Sequence, residues 1–420
     1  MFGVTAFLYS CLVFFYGVNL QRESITSVLV WILITHLFFY LLWKQSNKKT
    51  SSELMVWAIF LRVLLMIPEP KLSDDYFRFL WDGGLMAKGI SPFVSPPSLS
   101  IQNTYFGNEE NLFQLLYSQM NSRDYHSVYP IALQGWFTIP WIFSSHSLEG
   151  QIFVLRVILM LFELGNLLLL RTWHLPRELY SIFCFSPLLL YEGIYAIHPD
   201  PIVFFFLLLC LRYQDFRFLF PLLLQIKVSL GFLIPGVLFL GNARERAKSI
   251  FVLLLSLCLL WFSLFQNIKA QGESGLGLFF HSFRFHSILE ELVYWPLHLI
   301  GNLEYLSGSL SLSIASITFL WILCKKGFNL QQVVLLGLSL FTFFSPVIHP
   351  WYLIPLYGIL ILARSQIIPL FVLSIFGMAS YFQYAKQMED MVFSFTLFKL
   401  SLFGIFIWMN RSLYLQKNPS

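Results

Sequence analysis

Charge is scarce in this 420-residue chain, which carries 27 Lys and Arg and 22 Asp and Glu, so that charged residues make up only 12% of it. Soluble globular chains contain about 25% charged residues. Hydrophobic residues reach 57% and aromatic residues 18%, and so few charges could not keep that much apolar surface in water. The composition therefore excludes a soluble fold and predicts a polytopic membrane protein that is solvated mostly by lipid.

Cysteine is also rare, and the five cysteines are far apart, without a CxxC pair or metal-ligand spacing. This pattern is typical of buried free thiols rather than of a disulfide framework. The net charge of +5 is too small to indicate a nucleic-acid partner, and it fits basic residues in cytoplasmic loops. The first apolar stretch lacks a basic leader and a small-residue cleavage site, which predicts a retained span rather than a cleaved signal peptide.

Apolar stretches recur along the whole chain and predict an all-α, single integral membrane domain (1–420) with about 11–14 transmembrane helices. The predicted spans lie near 3–20, 25–43, 54–67, 150–170, 178–193, 200–212, 216–225, 228–240, 249–265, 307–324, 331–345, 351–363, 366–382 and 393–410. Two further apolar stretches, 130–143 and 288–303, are expected to lie in the outer interface rather than to cross.

Basic clusters give the chain an orientation. Lys44, Lys48 and Lys49 follow the second predicted span and mark a cytoplasmic loop, so the segment 68–128 is predicted to be the first large extracytoplasmic loop. The later basic residues that fit this orientation are Arg171, Arg177, Arg212, Arg217, Arg244, Arg246, Lys248, Lys325, Lys326, Arg364, Arg411 and Lys417.

With this orientation, unusual polar segments from six parts of the chain collect at the outer rim. These segments are 73–84, 127–130, 192–200, 225–231, 281–287 and 345–352. A channel would distribute polar groups through the depth of its helices, whereas convergence at one interface predicts a site that works there.

The strongest motif is SDDYFRFLWDGG (73–84), just after the third predicted span. Two adjacent carboxylates at a membrane rim repel each other and lose hydration unless a cation, a hydroxyl donor or a substrate compensates them. In a structural interpretation, Ser73 caps a helix whose dipole favours Asp74 and Asp75 in its first turn. In a catalytic interpretation, one aspartate is the general base for a hydroxyl group. The two roles are compatible, and the sequence leaves open which aspartate is the base.

The residues that follow the acidic pair extend the motif. Arg78 lies three and four residues after the two aspartates, so we expect it to orient either of them on one helical face. Asp82 lies one further turn along. Gly83, Gly84 and Gly89 are expected to let the chain bend close to a ligand.

The run SDDYFRFLWDGGLMAKGISPF (73–93) resembles the first external loop of membrane glycosyltransferases of the GT-C superfamily. It is most similar to bacterial polyprenyl-phosphate-sugar-dependent mannosyltransferase-like members. Later segments resemble other motifs of that family in the same order. They are Tyr129-Pro130 with Gln134, His198 with Asp200, Arg284-Phe285-His286 and His349-Pro350-Trp351-Tyr352.

The resemblance implies inverting transfer of a hexose, mannose being the sugar weighted by the family, from a polyprenyl-phosphate-linked donor to an acceptor hydroxyl of a glycan, lipid or protein. It places the protein in a bacterial inner membrane with its site on the extracytoplasmic side, and it implies no cofactor and no metal. Asp74 and Asp75 would be catalytic. The substrate-binding candidates are Arg78, Asp82, Tyr129, Gln134, His198, Asp200, Lys227, Arg284, His349 and Tyr352.

Such a transfer also requires positive charge beside the departing phosphate, because preplaced cations best stabilise charge that develops in a water-poor site. Lys227 is the first candidate, although a lysine at this depth also snorkels without further function. His349 and Arg284 are the next candidates, and His349 also fits a hydrogen-bonded interfacial histidine. His198 and Asp200 fit a substrate clamp, a helix cap or a metal pair; substrate contact is favoured and no metal is predicted.

Charges inside the predicted spans need partners. Arg62, Arg156 and Glu163 are costly in lipid and should face the bundle interior, either in a structural polar network or near a substrate. Tryptophans at the outer boundary, Trp351 among them, fit an aromatic belt, although aromatic faces also stack on sugar rings.

Three other classes of membrane protein are alternatives to an enzyme. A transporter or flippase of lipid-linked glycans would carry ionisable groups near mid-membrane and some internal repeat, and the chain has no convincing repeat. A glycan ligase or polymerase would have its largest loop late in the chain, whereas the largest loop here is early. A structural subunit would have no use for the acidic pair.

Overall fold

The computed structural model describes residues 1–213, 219–239, 243–269, 275–325, 327–385 and 392–415. The described part of the chain is 79% helical, and within these ranges only isolated bridges between 285–286 and Val347 have extended pairing. The predicted all-α class is confirmed. Three residues of the predicted cytoplasmic clusters, Arg217, Lys326 and Lys417, lie outside these ranges.

Three apolar helices begin the chain, and shorter helices follow in the predicted external loop. The apolar helices are α1 (Phe2–Asn19), α2 (Ile25–Ser46) and α3 (Ser51–Leu65). The shorter helices are α4 (Asp75–Ala87), α5 (Pro97–Asn103), α6 (Glu110–Gln119) and α7 (Ile131–Phe143). A capping box formed by Thr50 and Glu53 starts α3 where the polar loop gives way to apolar sequence.

The helices of the remaining described chain form the rest of the bundle. They are α8 (Leu148–Thr172), α9 (Arg177–Phe185), α10 (Pro187–Leu189), α11 (Asp200–Tyr213), α12 (Leu219–Leu224), α13 (Ile234–Phe239), α14 (Ala243–Lys269), α15 (Gly275–Gly277), α16 (Glu291–Gly301), α17 (Ser307–Lys325), α18 (Leu330–Phe344), α19 (Leu353–Leu362), α20 (Ile367–Ala379) and α21 (Val392–Leu415). The shorter turns that matter for the site are a π-helical turn (Leu190–Tyr195) and the 3₁₀ turns Val228–Leu233, Pro350–Tyr352 and Ser380–Tyr384.

Five helices of the described chain are long and apolar enough to cross a membrane: α1, α2, α8, Glu304–Lys325 and Ile367–Tyr384. The number is six if the segment Pro187–Tyr195 and α11, which meet at an angle of 112°, are counted as one broken span. Multi-pass membrane character is therefore confirmed. Several other predicted spans are shorter apolar helices, among them Leu330–Phe344 and Pro350–Leu362.

Buried charges connect the helices below the site. Arg62 and Glu163 form an ion pair of 2.7 Å, and their side chains are 0% and 1% exposed. Arg156 donates hydrogen bonds to the backbone carbonyls of Met66 (2.9 Å) and Tyr195 (3.0 Å). The expectation that the three charged residues face the interior is confirmed. Because an unpaired charge is very costly there, these bonds fix α3 and α8 against the turn that leads to the site.

A second buried network fastens the last helix. Lys399 of α21 forms an ion pair with Glu291 and donates a hydrogen bond of 2.8 Å to the carbonyl of Ser287. Thr396 donates a hydrogen bond of 2.8 Å to the same carboxylate. The segment 284–291 is thus held in place by α21.

Glycines allow α4 and α7 to pack closely. A Cβ on Gly83 would lie 1.9 Å from the carbonyl oxygen of Phe137, and one on Gly84 would lie 2.5 Å from the ring of Trp141. The expectation that these two glycines bend the chain towards a ligand is wrong, because they lie inside a regular helix and serve helix packing. Gly89, with φ of +73°, makes the left-handed turn after α4 that a side chain would disfavour.

Candidate functional site

The acidic pair lies at the start of α4, where Asp74 is the N-cap residue and Asp75 the first helical residue. The Asp74 carboxylate does not cap the helix; it accepts a hydrogen bond of 2.9 Å from the Arg22 guanidinium. The Ser73 hydroxyl accepts a hydrogen bond of 3.2 Å from the backbone N–H of Asp75. Two adjacent acids therefore have different surroundings.

Arg22 is a residue of the site that the sequence analysis missed. It lies in the short loop between α1 and α2, donates a second hydrogen bond to the carbonyl of Leu72 (3.0 Å), and lies 4.9 Å above the ring of Tyr384. The sequence did contain a signal for Arg22, because the positive-inside rule expects few basic residues in a loop that is predicted to be extracytoplasmic. An arginine there needs an anionic partner nearby, and Asp74 is that partner.

Asp75 is half-buried and makes no hydrogen bond or ion pair through its carboxylate with the residues that the structure describes. Burial, followed by repulsion from Asp74, raises the pKa of Asp75 from its ordinary value of 3.8 to about 6, and Arg22 acts in the opposite direction. A carboxyl group with such a pKa exchanges protons near neutral pH, as a general base requires.

Tyr352 connects Asp75 with the second part of the site. Its hydroxyl is within electrostatic range of both Asp75 and Asp200, and the Lys227 ammonium lies 4.0 Å from the centre of its ring. Lys227 in turn forms an ion pair with Asp200. Tyr129 faces the same space, within range of Asp75 and Tyr352. The structure thus brings together five of the predicted residues, each from a separate segment of the chain.

A sharp break in the chain places Asp200 at this point. The π-helical turn Leu190–Tyr195 ends just before Ile197, which has φ of +62°, and α11 then begins at Asp200. A β-branched residue in the left-handed region is strained by about 1–3 kcal/mol, and such strain clusters at functional sites. The carboxylate lies in the first turn of α11, where the helix dipole favours negative charge.

Glu192, on the π-helical turn Leu190–Tyr195, is another residue of the site that the sequence analysis did not single out. Its side chain is 0% exposed, accepts a hydrogen bond of 2.9 Å from the Tyr381 hydroxyl and is within electrostatic range of Asp200. Glu192 therefore adds a second buried carboxyl group to the site, near that of Asp200.

A stack of rings forms one wall of the site. His198 lies 3.5 Å from Trp351, centre to centre, with 12° between the ring planes, and His349 lies 4.3 Å from the same indole with 3° between the planes. Two rings so close and so nearly parallel can only lie on opposite faces of Trp351. Both faces of the indole are covered, so this tryptophan cannot stack on a sugar ring. Phe285 extends the stack, 4.7 Å from His349.

The histidines of this wall keep unused hydrogen-bonding capacity. His198 is 0% exposed, yet neither of its ring nitrogens has a hydrogen-bond partner among the described residues, and the same holds for Nδ1 of His349. Buried polar atoms are rarely left unsatisfied. These nitrogens are therefore suited to contact a bound substrate.

Three predicted substrate residues instead hold the external loop together. Arg78 pairs with Asp82 at 2.8 Å and donates hydrogen bonds to the carbonyls of Ser122 (2.8 Å) and Tyr125 (2.9 Å). Asp82 also accepts a hydrogen bond of 3.0 Å from Gln134. The expected pairing of Arg78 with the acidic pair is not found. Its Nε and Nη1 groups bond Asp82 and the two loop carbonyls, and Arg22 pairs with Asp74 instead.

Arg284 is likewise engaged elsewhere. Its guanidinium pairs with the buried carboxylate of Glu290 at 2.9 Å and lies 3.4 Å above the ring of Tyr294. Arg284 and Lys227 thus each have a carboxylate partner. Lys227 is preferred as the cation expected beside a phosphate because it also lies 4.0 Å from the centre of the Tyr352 ring. In the described part of the chain, no group of three or more His, Cys, Asp or Glu side chains could hold a metal ion.

No protein-family model, curated protein or solved structure matches this chain.

Proposed function

We propose that the protein is a membrane glycosyltransferase that moves a hexose, with mannose the first candidate, from a polyprenyl-phosphate-linked donor to an acceptor hydroxyl. The proposal depends on one observation above all: the Tyr352 side chain lies beside Lys227 and within electrostatic range of Asp75. A base for the incoming hydroxyl and a cation for the departing phosphate are the two groups that such a transfer needs. The resemblance of 73–93 to GT-C enzymes supports the same chemistry.

The proposed reaction is a single displacement. The Asp75 carboxylate takes the proton of the acceptor hydroxyl as the oxygen forms a bond to the anomeric carbon. The bond between that carbon and the phosphate oxygen breaks, and its electron pair stays on the polyprenyl phosphate beside Lys227. The hydroxyl attacks from the face opposite the leaving group, so the anomeric configuration inverts.

Asp75 rather than Asp74 is the base in this proposal. The Asp74 carboxylate is occupied by Arg22 and is therefore less available to an acceptor hydroxyl. The Asp75 carboxylate is free among the described residues, and its pKa of about 6 lies close to neutral pH.

We place the site on the extracytoplasmic face of a bacterial inner membrane. The helix α2 contains 22 residues and is therefore about 33 Å long, so Arg22 and Lys44 lie at opposite ends of a span. At the Lys44 end, Arg177 donates a hydrogen bond of 3.2 Å to the carbonyl of Asn47, so two predicted cytoplasmic clusters meet there. The positive-inside rule assigns that end to the cytoplasm. Acceptors that fit are glycan, lipid or protein hydroxyls.

A transporter of lipid-linked glycans is the second candidate. The buried Arg62–Glu163 pair favours it, because ionisable groups inside a bundle often mark a substrate path. A transporter would move the lipid-linked sugar between leaflets without making a glycosidic bond, so product analysis separates the two proposals.

Transfer is tested with the purified protein in lipid nanodiscs, a short-chain polyprenyl-phosphomannose and acceptors of the three classes, with mass spectrometry of the products. We expect Asp75→Asn to lower the transfer rate about 10²–10⁴-fold while donor binding stays unchanged. Asp74→Asn is the matched control, with a loss of less than about tenfold, because it leaves the Asp75 carboxylate in place. The proposal fails if no acceptor is glycosylated, or if Asp75→Asn transfers sugar as fast as the unchanged protein.

A further inference from the structure

Arg22 touches three separate parts of the chain. It pairs with the Asp74 carboxylate at 2.9 Å, donates to the Leu72 carbonyl at 3.0 Å and lies over the Tyr384 ring. The arginine side chain is only 19% exposed and that of Asp74 35% exposed, so water only partly screens their attraction. Glu23, the other acidic partner of Arg22 at 3.2 Å, is 69% exposed.

We infer that Arg22 is a positioning residue that divides the work of the acidic pair: it occupies the Asp74 carboxylate and leaves Asp75 as the carboxyl group that binds and releases the proton. The use of that proton in sugar transfer depends on the proposed function. The division of roles between the two acids does not, because it follows from the contacts of Arg22 alone.

The reason is electrostatic. A second negative charge beside a carboxyl group favours its protonated form, and a nearby cation opposes that effect. The titratable and charged groups that face Asp75 in the described structure are Asp74, Arg22, Tyr129, Tyr352 and Tyr384. The three tyrosines are neutral near pH 7, so in this set only the arginine compensates the charge of Asp74.

Removing Arg22 should therefore raise the pH at which Asp75 takes up its proton. A nearby opposite charge lowers the pKa of a carboxyl group by about 1–3 units, and removing Arg22 removes such a charge. Because the Asp74 side chain is 35% exposed, we expect the lower end of this range, a rise of about 1 unit.

The experiment uses dicyclohexylcarbodiimide, an apolar reagent that reacts with protonated carboxyl groups. The full-length protein in nanodiscs is labelled between pH 4.5 and 8.5, and fragmentation mass spectrometry assigns the label to Asp74 or Asp75. We expect half-maximal labelling of Asp75 near pH 6 in the unchanged protein, about 1 unit higher in Arg22→Gln, and within about 0.3 unit of the unchanged protein in Arg22→Lys. Glu23→Gln, which alters Arg22's solvent-exposed partner only, is the matched control and should not shift the midpoint.

A second variant keeps the test decisive if Arg22→Gln does not fold. Asp74→Asn removes the like charge and should lower the Asp75 midpoint. The inference is overturned if Asp74 and Asp75 label with the same midpoint, if folded Arg22→Gln leaves the Asp75 midpoint unchanged, or if Asp74→Asn does not lower it.

The labelling needs no donor or acceptor, so its outcome is separate from that of the transfer assay. A shifted midpoint without any sugar transfer would refute the proposed function and support the role of Arg22. Sugar transfer with an unshifted midpoint would support the proposed function and refute the role of Arg22. If both hold, the acid limb of the transfer rate in Arg22→Gln moves up by the same 1 unit or so, and Arg22→Lys restores it.

Discussion

Replacing Lys227 with glutamine removes the cation that we place beside the departing phosphate, but it also has a structural cost. The Asp200 carboxylate is 1% exposed, and it would lose its ion-pair partner. Breaking a buried pair on one side costs about 3–5 kcal/mol. A loss of activity in Lys227→Gln alone would therefore not distinguish a phosphate contact from a destabilised fold.

The double variant Lys227→Gln/Asp200→Asn separates the two effects. It removes both charges of the pair, so neither partner is left as an uncompensated buried charge. We therefore expect thermal stability close to that of the unchanged protein. A hydrogen bond to a charged group contributes about 1.5–3 kcal/mol. At about 1.4 kcal/mol per factor of ten, affinity for a polyprenyl phosphate should fall about 10–150-fold.

Binding is measured with a fluorescent polyprenyl phosphate and the protein in nanodiscs, alongside the melting temperature of each variant. Lys227→Arg keeps the charge and should bind within about tenfold of the unchanged protein. Asp200→Asn frees Lys227 from its partner and should bind at least as tightly. If the double variant is stable and binds the lipid phosphate as well as the unchanged protein does, Lys227 does not contact the phosphate and our reasoning about this cation is refuted.

Two further predictions follow from the geometry of α4. Asp75 must be ionised to accept a proton and its pKa is about 6, so log kcat/KM for transfer should be level above pH 7 and fall with a slope of one below pH 6; a flat profile down to pH 5 would contradict the assignment. Gly83→Ala would place a Cβ 1.9 Å from the Phe137 carbonyl oxygen and should cost about 1–3 kcal/mol, seen as a lower melting temperature. Gly135→Ala on α7, where a Cβ meets nothing within 4 Å, is the control and should be neutral or stabilising.

Hydropathy was sufficient to predict the all-α membrane class and most helix positions, because the length of an apolar run limits what it can do in lipid. It did not predict breaks. Hydropathy predicts one span over 178–193, whereas α9 ends at Phe185 and the chain continues through α10 and a π-helical turn. Apolar content is the same on both sides of such a break, so only backbone geometry and packing reveal it.

Sidedness predicted the meeting of Asp75, Lys227 and Tyr352, since polar segments at one rim have little other space to occupy. Sidedness could not predict which residues of the acidic motif pair with one another. Arg78 lies four residues from both Asp74 and Asp82, so helical spacing favours each pair equally. Arg78 pairs with Asp82 because its guanidinium also bonds the carbonyls of Ser122 and other residues of the distant loop. No local sequence pattern contains these contacts.

The ion pair between Lys399 and Glu291 has a consequence for how the protein is made. Glu291 leaves the ribosome more than a hundred residues before Lys399. During membrane insertion its carboxylate therefore lacks its ion-pair partner at first. Only when α21 has been made and packs in place is the segment 284–291 neutralised and held, and with it the Phe285 ring that packs against His349. The wall of the site is therefore completed late in biogenesis, and a nascent chain that stops short of α21 should insert without becoming active.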